Sequence, residues 1–267
     1  MSAPTLRISR SHYPVTALGP GIRLGVWVQG CPLACKGCMS RDTWDADGGV
    51  EVAVEDLVDR WRTALSDGAT GLTVSGGEPL EQAGPLAELL RRAAEVRAEV
   101  RTDGGAAAAA GYGEADILLY TGYELTELDE EQLAATRYAD ALITGRYEVG
   151  QPTDLVWRGS ANQQLRPLTE LGHRRYAVSV DKQVAAPPLQ LRVDESGVWV
   201  IGVPRPGTLS RIDRRLRQAG LVVDGVTWRA PSGSSGLADS DGLDGLDGLD
   251  GSDRSPNESE VLPCPND

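Results

Sequence analysis

Three cysteines, Cys31, Cys35 and Cys38, fall within eight residues in the stretch GCPLACKGCMS. The spacing C-x3-C-x2-C sets three thiolates on one tight loop, where they can face inward and ligate three irons of a cubane cluster. The fourth iron then has no protein ligand within reach, which suits a cluster that must bind and reduce something directly. Structural zinc is the competing use of such a loop, but closed zinc sites take four ligands. The fourth would have to be Cys264, His12 or His173. Cys264 lies three residues from the end in VLPCPND, and neither histidine has a ligand-like neighbour in the sequence.

A second group is Ser75-Gly76-Gly77-Glu78-Pro79, directly after an apolar run. Paired glycines let backbone carbonyls approach a ligand with no Cβ in the way, and Glu78 adds an acceptor for an ammonium group. Taken alone, the run reads equally well as a glycine-rich strand-to-helix turn. Its company with the cysteine loop favours the ligand reading, because parallel α/β architectures bind ligands at the carboxyl ends of their strands.

The elements that must carry these groups follow from the hydrophobic pattern. Residues 25–28 read as a buried strand running into the cysteine loop. Val54, Leu57, Val58, Trp61 and Leu65 have amphipathic helical spacing. A strand over 71–75, a helix over 80–98, a strand over 117–120 ending at Thr121-Gly122, a helix over 128–135 and a strand over 141–144 continue the alternation. Together they predict βα units and a parallel sheet. Residues 102–113, rich in Gly and Ala, read as a flexible insertion. Beyond Arg166 the texture becomes α+β. Strands are expected over 176–180, 189–193 and 198–203, with a turn at 194–197, then a basic amphipathic helix over 209–219 and a strand over 221–226.

Domain organisation follows: a main body over 1–166, a small α+β extension over 167–230, and a tail over 231–267. The tail repeats Gly-Leu-Asp with too little apolar content for a core, so it is expected to be disordered. The net charge of −13 over 267 residues is concentrated there, since Ser232 to Asp267 holds nine acidic residues and one Arg. Nothing resembles the clustered Lys and Arg of a nucleic-acid surface. No apolar run is long enough for a membrane span, and the N-terminus has no secretory h-region, so a cytoplasmic protein is expected.

At this point the chain resembles the radical SAM superfamily and, within it, the activating enzymes of glycyl radical enzymes such as anaerobic ribonucleotide reductase. The shared pattern starts at Tyr13-Pro14-Val15 and Gly19-Pro20-Gly21-Ile22-Arg23. It runs through Val28-Gln29-Gly30-Cys31-Pro32, Cys35-Lys36-Gly37-Cys38 and Thr43-Trp44-Asp45. It also takes in Ser75 to Pro79, Thr121-Gly122-Tyr123 with Glu127-Leu128, and Trp157-Arg158-Gly159-Ser160 with Asn162-Gln163. The coverage is roughly residues 12 to 166.

The resemblance implies a partial, open (βα) barrel that binds a [4Fe-4S] cluster and S-adenosylmethionine (SAM). It implies an oxidoreductase that cleaves SAM reductively to a 5′-deoxyadenosyl radical, which takes a hydrogen from a glycine of a partner protein. A donor such as flavodoxin or ferredoxin would supply the electron. Cys31, Cys35 and Cys38 then serve as iron ligands, and Gly37 and Met39 touch SAM. Gly76, Gly77 and Glu78 meet its amino group, and Thr121 and Gly122 line the adenosyl side. Relatives often carry an aromatic residue where Met39 stands. Arg23 is either a contact to the SAM carboxylate or the glycine loop, or a surface arginine; Trp157 and Arg158 read as packing and capping residues. The 104–113 insertion and residues 167–229 have no counterpart in the short activating proteins. They leave open radical modification of a peptide or small molecule, or an iron–sulfur sensing role without radical chemistry.

Overall fold

The computed structural model describes residues 3–102, 115–194 and 197–221. Seven strands form one mixed sheet in the order β3-β1-β2-β4-β5-β6-β7. These are β1 (Thr5–Val15), β2 (Arg23–Val28), β3 (Val50–Ala53), β4 (Gly71–Gly76), β5 (Asp116–Tyr120), β6 (Ala141–Thr144) and β7 (Gln164–Pro167). The central strands β2, β4, β5 and β6 are parallel, while β1, β3 and β7 join antiparallel. The helices are α1 (Val54–Ser66), α2 (Ala83–Thr102), α3 (Glu130–Thr136), α4 (Glu170–Tyr176) and α5 (Thr208–Gln218). A hairpin of β8 (Leu189–Asp194) and β9 (Gly197–Gly202) forms a second, two-stranded sheet.

Alternation along the strands sorts side chains to two faces. Leu24, Val26, Val28, Leu72, Val74, Ile117 and Leu119 point to one, where they join Leu57, Val58 and Trp61 of α1 and Leu86, Leu89 and Leu90 of α2 in the largest core. The indole N–H of Trp61 donates to the Ala93 carbonyl at 3.1 Å, locking α1 to α2. On the other face Leu118, Ala141 and Ile143 pack with Val156, Trp157, Leu165 and Tyr176.

The amino ends of the parallel strands are closed by ions. Arg23 and Asp116 have fully buried side chains and pair at 2.8 and 3.1 Å. Arg23 also donates to Thr73 Oγ1 at 2.6 Å and to the carbonyls of Leu72 and Pro20. Arg175 Nε of α4 lies 2.6 Å from Asp116, and the Tyr176 hydroxyl donates to the same carboxylate. Burial pushes the Asp116 carboxyl up, but the Arg23 and Arg175 guanidiniums outweigh it and hold it below the usual carboxylate range. Arg23 is therefore neither a SAM contact nor a surface arginine. Its partner lies 93 residues away, beyond the reach of local sequence reading.

Three further expectations change. Strands β1, β3 and β7 were not anticipated. The helix expected over 80–98 begins as a 3-10 turn, Pro79–Gln82, ahead of α2. Residues 176–180, whose alternation reads as strand, form the end of α4 and a 3-10 turn, Ala177–Ser179. There the Thr169 hydroxyl caps the helix by accepting from the Gly172 N–H, and burial of Tyr176 overrides the β-like pattern. The insertion from 103 onward, the strand expected over 221–226 from 222 onward, and the tail with Cys264 lie outside the described residues. Among those described, no helix is long and apolar enough to cross a membrane.

Candidate active site

β2 delivers the chain to the cysteine loop, and the loop closes on its own base. The N–H of Gly30 donates to the Thr43 carbonyl at 2.8 Å and that of Cys31 to the Trp44 carbonyl at 3.0 Å. The Gln29 amide spans the base, donating to the carbonyls of Asp42 and Asp45. Within the loop Cys38 N–H donates to Cys35 O at 3.1 Å, a turn that needs Gly37 in the left-handed region at φ 77°.

The Cys31 and Cys35 thiols both lie close enough to Cys38 for charge on one to be felt at the other. Burial pushes the thiols of Cys31 and Cys38 up. Backbone N–H groups of Leu33 and Ala34 at Cys31, and of Ser40 with the Trp44 side chain at Cys38, oppose that shift. Such donors stabilise thiolate charge and are the contacts that tune a cluster's sulfurs. Three half-buried thiols on one loop, two of them so served, fit a [4Fe-4S] cluster. Neither histidine that a closed zinc site could draw on as a fourth ligand is placed by a contact at the cysteine loop. His12 sits on β1 opposite Gly25, edge-on to Trp199. His173 rides on α4, which packs at the amino ends of the strands.

β4 ends in register with β2, Val28 opposite Gly76. Beyond that pair the ladder continues into both loops: Gly77 N–H donates to Val28 O at 2.9 Å and Glu78 N–H to Gly30 O at 2.8 Å. A Cβ on Gly77 would lie 2.2 Å from Gly30 O, and one on Gly76 2.5 Å from Val28 N. The paired glycines thus let two backbones meet, the cysteine loop's and their own. Glu78 is 1% exposed, and its carboxylate accepts from Leu80 N–H (3.0 Å), Thr121 Oγ1 (2.8 Å) and Gly122 N–H (2.7 Å). Burial nevertheless lifts its carboxyl to about 7. The side chain offered by its sequence as an ammonium acceptor is thereby the fastener between the ends of β4 and β5.

Gly37 and Met39 flank Cys38, Gly76 to Glu78 end β4, and Thr121-Gly122 end β5, so all ten anticipated positions share the carboxyl edge of three adjacent parallel strands. Four more residues belong there that sequence reasoning missed. Leu33 lies over Gly122, where a Cβ would come within 2.4 Å of its Cδ1. Val149 and Tyr147 stand beside Gly37, at 3.2 and 3.4 Å from where its Cβ would be. Arg146 sits 5.5 Å over the Tyr123 ring, donates to both Glu127 oxygens at 2.7 and 2.8 Å, and is close enough to Cys35 to feel its charge. The signal for Arg146, Tyr147 and Val149 was Gly145 at the end of β6, the same strand-end position as the other motifs. Gln163, Asn162 and Ser160 hold this 145–149 loop through Gly145 O, Arg146 O and Glu148 N–H. Trp157 and Arg158 do pack and cap, Trp157 in the second core and Arg158 on the carbonyls of Ser179 and Val180.

The 4Fe-4S single cluster domain family matches residues 17–166. The chain belongs to this family of radical SAM activating enzymes. The anaerobic ribonucleoside-triphosphate reductase-activating protein of Vibrio cholerae is 35% identical over 164 residues, 59% of this chain and 96% of its own. Its counterpart in Enterobacteria phage T4 is 35% identical over 148 residues, 55% of this chain and 85% of its own. That of Escherichia coli K12 is 30% identical over 162 residues, 59% and 96%. Among solved structures, QueE from Escherichia coli matches 44% of this chain and 52% of its own at 18% identity and a TM-score of 0.31, too slight a likeness to bear on the fold. The activating-enzyme match stops within β7, so α4, β8, β9 and α5 fall outside it.

Proposed function

We propose that this chain activates a glycyl radical enzyme of the anaerobic ribonucleotide reductase kind, with a [4Fe-4S] cluster on Cys31, Cys35 and Cys38. The observation that carries the reading is the three-thiol loop at the end of β2, hydrogen-bonded back to back with the Gly76–Glu78 loop. When bound, the cluster and SAM supply one-electron cleavage to a 5′-deoxyadenosyl radical that takes hydrogen from a partner glycine.

The chain's own residues place and shield that chemistry. Gly37 and Met39 border SAM, the backbone of Gly76 and Gly77 receives its amino group, and Thr121 with Gly122 line the adenosyl side. Glu78 sets the spacing of those walls through its three hydrogen bonds. Leu33, Tyr147 and Val149 close the flanks against water. The sheet's order and its parallel centre support a partial, open barrel. Residues 1–166 form the catalytic body, 167–230 an extension that docks the partner, and 231–267 an acidic tail. A flavodoxin or ferredoxin supplies the electron, in the cytoplasm. The extension outside the family match also favours a second reading, in which the same radical modifies a peptide.

The test is anaerobic reconstitution of the full chain with iron and sulfide, followed by dithionite and SAM. 5′-Deoxyadenosine is expected, and Cys35→Ala loses both it and most of the iron, whereas Cys264→Ala keeps its iron. An intact cluster that yields no deoxyadenosine sinks the radical reading. Deoxyadenosine without a glycyl radical signal on an added reductase moves the assignment to peptide modification.

A further inference from the structure

The Tyr147 ring is wedged by its two edges between glycines of different loops. Its Cε1 edge faces Gly37 of the cysteine loop, 3.4 Å from where a Cβ would be. Its Cδ2–Cε2 edge faces Gly159, where a Cβ would come within 2.8 Å of Cδ2. Gly37 is also needed for its backbone, at φ 77°. Gly159 is not among the residues with positive φ, so there the Tyr147 ring is what leaves no room for a side chain. The two loops that hold the ring are tied to each other. Gln163 Oε1 accepts from Gly159 N–H at 2.7 Å, and its Nε2 donates to Gly145 O at 2.9 Å. Ser160 Oγ accepts from Glu148 N–H at 3.0 Å. The backbone that carries the ring is thereby fixed against the turn that backs it.

The polar end of this side chain is left over. Among the described residues the Tyr147 hydroxyl has no hydrogen-bond partner. It lies close enough to Cys38 for charge on that sulfur to be felt. Burial, and then that charge, push the hydroxyl above the ordinary tyrosine value, so at neutral pH it keeps its proton and is a donor. A tyrosine hydroxyl on a half-buried ring takes an acceptor where one is offered. The Cys38 sulfur, already served by Ser40 N–H and the Trp44 side chain, is the acceptor at hand.

We propose that Tyr147 is a positioning residue for the cluster: its ring sets the place of the turn at Gly37 and Cys38, and its hydroxyl donates to the Cys38 sulfur. This rests on the three-cysteine cluster reading above. Hydrogen bonds to ligating sulfurs tune a cluster's potential, and a donor offsets negative charge and so favours the reduced form. The Trp157–Gln163 segment thus reaches the cluster through one ring. A hydroxyl that faces only water would leave the potential untouched, and the experiment separates the two.

The full chain, Tyr147→Phe and Tyr147→Ala are reconstituted anaerobically with iron and sulfide, without SAM. Tyr147→Phe keeps the wedge and should hold as much iron as the wild type, whereas Tyr147→Ala should lose part of it. In an EPR-monitored redox titration, Tyr147→Phe should show a roughly ten-fold shift of the one-electron equilibrium, a midpoint potential about 59 mV more negative. In deuterated buffer, the reduced wild-type cluster should show by ENDOR an exchangeable deuteron that Tyr147→Phe lacks. An unchanged potential or an unchanged deuteron signal in Tyr147→Phe overturns the proposal. So does full iron in Tyr147→Ala, or iron lost from Tyr147→Phe as from Tyr147→Ala, which leaves the side chain a structural role alone. A wild type that assembles no cluster overturns the cluster reading as well, whereas a cluster indifferent to Tyr147→Phe overturns only this proposal.

Discussion

Gly77 has no room for one more carbon, because its Cβ would sit against a carbonyl oxygen rather than a movable side chain. Gly77→Ala is therefore expected to cost about 1–3 kcal/mol and to lower the iron retained after reconstitution, read by thermal melting and iron assay. Gly84→Ala, inside α2 where the nearest atom is the movable Glu131 carboxylate at 3.2 Å, serves as the control and should melt no lower than the wild type. Arg146 makes a different residue-scale statement. Its positive charge beside Cys35 favours the reduced cluster, so Arg146→Ala should move the cluster's midpoint potential to a more negative value in an EPR-monitored redox titration. An unchanged potential would remove Arg146 from the site.

At the scale of elements, α4 shows how residues beyond the family match are tied to those within it. Arg175 and Tyr176 reach Asp116 from beyond the family match, and Tyr176 is fully buried. Tyr176→Phe removes one hydrogen bond to a charged acceptor and should cost about 1.5–3 kcal/mol. Asp116→Asn strands Arg23 in the core and should cost about 3–5 kcal/mol, both read by denaturant unfolding. The pH dependence has a definite sign. Asp116 titrates lower folded than unfolded, so its contribution is complete above the unfolded value and is lost as pH falls through the folded one. Acid unfolding of Asp116→Asn should accordingly be flatter below about pH 4 than that of the wild type. None of this was legible in sequence. The alternation in 176–180 reads as strand because it contains β-branched residues at every second place, and only the tertiary burial of Tyr176 decides for helix. Strand β1 was hidden by its Arg and Ser residues and by Pro14, and β3 and β7 are too short to show a period.

Across the whole molecule, the parallel centre of the sheet separates two kinds of work. Its carboxyl edge gathers the cysteine loop, Gly76–Glu78, Thr121-Gly122 and Arg146, while its amino edge is sealed by Arg23 and Asp116. The first edge was readable because each chemical motif directly follows an apolar run, a local signal. Arg23 was misread because its meaning depends on a carboxylate far along the chain, and Glu78 was read for its charge when its burial and three donors matter as much. The ladder that joins Val28 to Gly77 and Gly30 to Glu78 has one more consequence. A centre that gains and loses an electron in each cycle works fastest when its mount does not relax around the new charge. Here the mount is an extension of the sheet itself, so the two loops cannot slide past each other without breaking both hydrogen bonds. An insertion of one residue in either loop would shift both motifs out of step together.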